Sequence, residues 1–321
     1  MLFLSEADVQ ELLPMELAIE RVEASLRAQA QDKAVNHPRR RIFLPHVSLH
    51  YMAAAIPGDN LLGLKIYTVS RQSFRFVVLL YEAEKGELLA MIEADHLGRL
   101  RTGAASGVAS KALSRPESRA VGLIGAGHQA RTQIEAASRV RDLKAVRVFS
   151  RDETRRRAFC QEMSARLQLE IEPADSAEAA GRFGDIVITA TNAREPVLLG
   201  DWLKEGAHVN AIGANMPDRS EVDDGLLRRA GVIAVDSVEQ ARMEAGDLIR
   251  GFAHSPERWD TVAELSQVLT GACPGRRTAN EVTVFKSAGI ALWDVAAAGA
   301  VYRRALESGR GKTMDLSAST P

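Results

Sequence analysis

The residues that could do chemistry fall into two groups. The first is the run Val121-Gly122-Leu123-Ile124-Gly125-Ala126-Gly127-His128-Gln129-Ala130, an apolar strand leading into a G-x-G-x-x-A loop. In that spacing Gly125 permits a tight turn and Gly127 lets the backbone approach a pyrophosphate. Ala130 lets the helix pack closely on the strand, and the helix N-terminus offers amide donors to the phosphates. The loop alone would also suit a tight turn without a ligand. The strand before it, the helix after it and the next strand, Ala145–Phe149, complete the context a dinucleotide site needs.

At the end of that next strand an NAD site usually carries an acid for the ribose hydroxyls. Ser150 and Arg151 stand there, and Arg155, Arg156 and Arg157 follow. A small hydroxyl beside a guanidinium suits a 2′-phosphate, so NADP(H) is favoured and NAD(H) stays possible. Asp152 comes slightly late to be the ribose acid. The arginine trio also fits a plain solvated helix face.

The second group is cationic. It comprises His37-Pro38-Arg39-Arg40-Arg41, Lys65 inside the apolar run Gly63-Leu64-Lys65-Ile66-Tyr67, and Arg101-Thr102-Gly103-Ala104-Ala105. A lysine flanked by Leu and Ile is costly to bury unpaired, so it either lies on a solvated strand face or meets a ligand. An arginine fork binds both oxygens of a carboxylate, although Arg101 could equally be structural. His37, His46 and His50 lack a carboxylate placed to complete a metal site, and no metal is expected. His208 reads as core. Cys160 and Cys273 read as ordinary small residues.

The elements that must position these groups change in texture along the chain. A helical pattern follows Ser5–Asp8, and a second runs from Pro14 to about Gln31. Residues 41–44, 48–55, 63–69 and Phe74–Glu82 are short β-rich runs, and 84–87 turns into Leu88–Glu93. This is a meander, so an antiparallel or mixed sheet is expected. Asp95–Leu113 is a helix crowded with small residues, and 114–118 reads as a polar linker. Strands and helices then alternate: 120–125, Ala145–Phe149, 169–171, 185–190, 208–212 and 232–235 are the strands. Asp175, with Glu178 at the third position, reads as a helix cap. Such alternation means a parallel, doubly wound sheet. The expected fold class is α/β, a Rossmann-type domain plus an α+β domain, and the last ten residues read as a frayed end.

Composition sets the outer limits. Lys plus Arg is 41 and Asp plus Glu is 42, a net charge of −1, which argues against nucleic acid or an anionic membrane surface as a partner. No run approaches the roughly 18 apolar residues of a membrane span. Two cysteines exclude a disulfide framework and suit a reducing cytosol.

Several stretches together resemble the ornithine cyclodeaminase/mu-crystallin family. They are Arg101-Thr102-Gly103-Ala104-Ala105-Ser106, the 125–130 loop, Thr189-Ala190-Thr191, and 206–214 with Asn210 and Ile212-Gly213-Ala214. The stretches 241–248 and 283–289 belong with them. The resemblance runs in order over nearly the whole chain. It implies a homodimer and a first domain of 1–113 plus 287–321, for substrate and dimer contacts, wrapped around a dinucleotide domain of 114–286. It implies that Arg40, Lys65 and Arg101 hold a substrate carboxylate, with Lys65 close to the reacting nitrogen. Arg39 and Arg41 compete with Arg40 for that match. Thr102 would serve the anion site or the cofactor phosphates, and 189–191 with 212–213 the cofactor. Cyclodeaminases of the family carry an aspartate where this chain has Asn215, and an amide cannot act as a base. The resemblance therefore implies NAD(P)H-dependent reduction of a small α-imino acid, such as pyrroline-2- or piperideine-2-carboxylate. Ornithine cyclodeamination and a non-enzymatic, crystallin-like dinucleotide binder are the alternatives.

Overall fold

A computed structural model describes residues 1–70 and 74–315. The chain opens with β1 (Leu2–Leu4), α1 (Glu6–Leu12) and α2 (Met15–Ala30). Ser5 caps α1: its hydroxyl accepts the Asp8 amide while the Asp8 carboxylate takes the Ser5 amide. β2 (Val35–Asn36), β3 (Arg40–Phe43), β4 (Val47–Ile56), β5 (Leu61–Ser70), β6 (Phe74–Glu82), β7 (Leu88–Glu93) and α3 (Asp95–Leu113) follow. Alternation begins with β8 (Ala120–Ile124), α4 (His128–Val140), β9 (Ala145–Phe149), α5 (Glu153–Leu167), β10 (Glu170–Pro173) and α6 (Ala177–Phe183). It continues with β11 (Ile186–Thr189), β12 (His208–Ala211), α7 (Asp224–Arg229), β13 (Ala230–Val235), α8 (Val238–Glu244) and α9 (Gly246–Gly251). β14 (Val262–Glu264), α10 (Leu265–Thr270), β15 (Val282–Lys286), α11 (Ala291–Ser308) and β16 (Lys312–Thr313) come last. Two units result: Met1–Arg101 with Ile290–Pro321, and Thr102–Gly289.

The first unit is built on a mixed sheet in the order β16-β1-β7-β6-β5-β4-β2, with β3 also on β4. Strands β4 to β7 form the expected antiparallel meander. Alternation turns Met52, Ala54, Leu61, Val78, Leu80 and Ile92 to a buried face, against which α11 and α2 pack. Helix α11 lies close on β5 because glycine stands at the contacts. A Cβ on Gly63 would come 2.7 Å from Val295 Cγ2, and one on Gly299 would collide with Leu61. The other sheet face is also apolar, with Tyr51, Leu62, Leu64, Ile66 and Leu79 exposed or half-buried.

The second unit is a doubly wound sheet in the order β10-β9-β8-β11-β12-β15-β13-β14, with every neighbouring pair parallel. Separate apolar clusters form on its two faces, one around Ile134, Phe159 and Met163, the other around Leu198, Leu226 and Phe252. Strands β14 and β15 were not among the expected strands. The wholly buried run Val282–Lys286 ends in a lysine, which breaks the apolar signal in the sequence.

Four expectations shift. The units part inside α3, between Arg101 and Thr102, instead of at 113/114. The reason is packing: a Cβ on Gly103 would meet the Thr132 backbone, and Ser110 accepts a bond from Asn210 at 2.8 Å. The 114–118 segment is no free linker, because Arg141 ties it down through Ser114 and the Arg115 carbonyl. The return to the first unit comes at Ile290 because Asp236 Oδ2 holds Ser287 Oγ and the amides of Ala288 and Gly289 within the second. The cap of α6 is Ser176, whose hydroxyl accepts the Ala179 amide, and not Asp175. At the chain end Lys312–Thr313 pairs with β1, while 316–321 of the expected frayed tail lie outside the described residues. Among the described residues no helix is long and apolar enough to cross a membrane.

Candidate active site

Strand β5 alternates so that Gly63, Lys65 and Tyr67 share the buried face beneath α11. Lys65 donates to Asp294 Oδ1 at 2.7 Å, and Arg101 Nε donates to the same oxygen at 3.0 Å. All three are deeply buried, with Lys65 3%, Arg101 5% and Asp294 0% exposed, so the solvated-face reading of Lys65 fails. The ammonium lies 5.5 Å from the Phe76 ring centroid, and the Arg101 guanidinium lies 5.6 Å from that of Trp293. Gly98 makes room, since a Cβ there would sit 3.0 Å from Lys65 Nζ. Burial pushes the Lys65 amine down to about 8. Asp294 holds it up, while Arg101 and Arg39 push it down further.

Arg40 does not join this cluster. It is exposed on β3, whereas Arg39 is 5% exposed and close enough to act on Lys65. Of three consecutive arginines the fold turns Arg39 inward, toward Lys65, and leaves Arg40 exposed. Arg41 instead donates to His50 Nδ1 at 3.2 Å, and Ser48 Oγ lies 2.8 Å from His50 Nε2. Two cations facing one buried acid leave an excess of positive charge. Such a cluster is complemented by an anion.

The second unit carries the glycine loop as expected. Gly125 has φ +111°, and a Cβ on it would collide with the Ala190 carbonyl. Gly127 is the N-cap of α4 with no side-chain cap bond, and a Cβ there would meet nothing within 4 Å. The start of α4 thus has no side-chain cap and has room beside Gly127, which fits a pyrophosphate. Ala126 and Gln129 are half-buried, His128 is exposed, and Ala130 is sealed in the core. Thr102 is buried on α3. Thr189 ends β11 and Ala190 and Thr191 follow it out of the sheet, while Ile212 and Gly213 follow β12. Both lie on the carboxyl edge, where dinucleotides bind in such sheets.

Beyond β9, Asp152 is the N-cap of α5 and accepts the Arg155 amide, so it is not placed as a ribose acid. Arg155 pairs with Asp152 and Arg157 with Glu153, as a solvated face would have it. Arg156 differs: it stacks on Phe149 at 5.4 Å and donates to the Ser150 carbonyl at 2.8 Å. Ser150 is half-buried and Arg151 exposed.

Three acids escaped the sequence reading. Asp294 is the first. Glu221 is the second: Oε1 accepts the amide and hydroxyl of Thr191, each at 2.7 Å, and Oε2 accepts the amides of Gly213 and Ala214. It therefore laces together the two loops at the cofactor edge. Burial raises its pKa. Asp247, the third, accepts the amides of Glu221 and Val222 and pairs with Lys286 at 2.8 Å. Lys286 in turn donates to the Ala214 carbonyl at 2.6 Å, one residue before the half-buried Asn215. A charge inside an otherwise buried run was the available signal for Asp294 and Lys286. His208 is core, bonded to Thr283 and Asn210, and burial pushes its imidazole down to about 3. Among the described residues no three His, Cys, Asp or Glu groups are placed to hold a metal.

A doubly wound parallel sheet with an open helix N-terminus behind a G-x-G-x-x-A turn defines a dinucleotide-binding protein of the Rossmann class. The chain belongs to the ornithine cyclodeaminase/mu-crystallin family, whose model matches residues 1–309. A Delta(1)-pyrroline-2-carboxylate reductase from Bacillus cereus is 32% identical, over 98% of this chain and all of the relative. The Thermococcus litoralis Delta(1)-pyrroline-2-carboxylate reductase, solved with NADH and L-proline, is 34% identical with a TM-score of 0.93, covering 98% of this chain and 100% of that one. An archaeal alanine dehydrogenase dimer with bound NAD is 32% identical, TM-score 0.93, covering 98% and 99%.

Proposed function

We propose that the protein reduces a small cyclic α-imino acid, pyrroline-2- or piperideine-2-carboxylate, to the corresponding amino acid. The observation that carries this reading is the buried Lys65–Asp294–Arg101 cluster with its excess positive charge. The fork of Arg101, with Arg39 nearby in charge, takes the substrate carboxylate. Lys65 points its proton at the imine nitrogen. A reduced nicotinamide, when bound, supplies the hydride to the imine carbon. The nitrogen then takes the Lys65 proton, so the C=N bond becomes CH–NH and Lys65 recovers a proton from water. The protein's contribution is orientation and charge in a dry place.

The first unit serves the substrate and the second, through the 125–130 loop and the 189–191 and 212–213 edges, the dinucleotide. NADPH is the preferred form, supported by the absence of an acid where Ser150 and Arg151 stand. The solved relatives hold NADH and NAD, which makes NADH the competing choice. Arg151→Ala is expected to lower the NADPH-to-NADH ratio of kcat/KM about tenfold, the worth of one charge-assisted bond. An unchanged ratio would remove Arg151 from the phosphate site. The apolar outer face of the first sheet supports a homodimer, and two free thiols fit the cytosol.

The deciding experiment supplies NADPH with each cyclic ketimine and, separately, ornithine with NAD⁺. Cofactor oxidation matched by proline or pipecolate is expected. Ammonia and proline from ornithine would replace the reading with cyclodeamination, which Asn215 disfavours. Dinucleotide binding without turnover in either mixture would favour a binding protein.

A further inference from the structure

Asp294 lies in the first turn of α11, among Ala, Leu, Trp, Val and Gly, and its side chain is wholly buried. An acid in the first turn suits the helix dipole, but burying it is costly unless it is paired. Its Oδ1 gathers both Lys65 and Arg101, while Oδ2 has no hydrogen-bond partner among the described residues. We infer that Asp294 is a positioning residue for the reduction: it fixes Lys65 in place and keeps it charged, so that Nζ, and not a water, protonates the imine nitrogen.

The surroundings of Lys65 support this. Asp294 reaches it from α11, Arg101 from α3 and Arg39 from the segment before β3, while the Phe76 ring of β6 lies 5.5 Å from Nζ. Of these charged groups only Asp294 favours the ammonium; burial and both arginines oppose it. Removing the Asp294 charge therefore releases the proton at lower pH. In the balanced step the hydride goes to carbon and the π pair of C=N takes the Lys65 proton. Lys65 is left as a neutral amine beside Asp294 until water reprotonates it. The inference rests on the reductase reading.

The test compares pH profiles of kcat for the wild type, Asp294→Asn and Arg101→Gln. Asparagine keeps an acceptor oxygen but loses the charge. Activity needs the Lys65 proton, so it falls as pH rises through the amine's pKa. For the wild type this basic limb is expected near pH 8. Asp294→Asn should shift the limb to lower pH by about one unit or more, with roughly tenfold less activity at neutral pH. Arg101→Gln, which removes an opposing cation, should shift it upward whatever its effect on KM. An ¹³C NMR titration of the Lys65 ε-carbon, which needs no turnover, should follow the same order. Limbs and titrations that coincide in all three proteins would overturn the inference. A wild type inactive on cyclic ketimines would instead overturn the reductase reading, and the NMR titration would still decide whether Asp294 holds the Lys65 charge.

Discussion

Lys65, inside β5, and Lys286, the last residue of β15, each pair with a buried aspartate, at 2.7 and 2.8 Å. Their surroundings differ in kind. Lys286 also donates to the Ala214 carbonyl, Asp247 also accepts two backbone amides, and the neighbouring Glu221 accepts three. That cluster is sewn into the main chain, so it fixes the shape of the 189–191 and 212–215 loops. Around Lys65 the partners are side chains, two cations share one carboxylate oxygen, and a third cation stands near. A buried Lys–Asp pair is therefore no sign of chemistry by itself. The Lys65 cluster is set apart by bonds that join side chains only, with none taken up by the backbone.

The comparison breaks first at the lysines. Lys65→Ala is expected to lower kcat/KM by about 10³-fold or more, as loss of a general acid does, with dinucleotide affinity and melting temperature nearly intact. Lys286→Ala leaves Asp247 buried without its cation and should cost about 3–5 kcal/mol in a denaturant melt. Steady-state kinetics and melts of both variants check this, and interchanged outcomes would refute the distinction. A smaller effect sharpens the first cluster. Arg101→Lys keeps the charge but loses the fork, so KM should rise about 10–100-fold with kcat less affected. An unchanged KM would remove Arg101 from the carboxylate. The smallest contrast is Arg39→Gln against Arg40→Gln: the first should raise KM several-fold, and the second should stay within about 0.5 kcal/mol of wild type in both binding and stability.

The glycine loop, Lys65 and Arg101 were legible because their meaning is local. A strand, a turn and a helix start specify Gly125 and Gly127, and a charge in an apolar run marks Lys65. Asp294 was not legible, because its role depends on Lys65 and Arg101, which lie 229 and 193 positions away in the chain. Glu221 and Asp247 bind backbone amides that only the folded loops present. Arg39 and Arg40 are chemically alike, and the difference between them is which way the chain turns at β3. The break between units inside α3 was hidden for a related reason. The helix pattern is continuous through Arg101 and Thr102, and only the close approach of Gly103 to Thr132 assigns the second half elsewhere.

The most direct test follows a single atom. The protein is incubated with pyrroline-2-carboxylate and NADPH carrying deuterium at the transferable C4 position, and the proline formed is examined by mass spectrometry and NMR. Deuterium at Cα of proline, formed about 10³-fold or more slowly by Lys65→Ala and at the wild-type rate by Arg40→Gln, is the predicted result. Proline without the label, or label transfer at an undiminished rate without Lys65, would contradict the account.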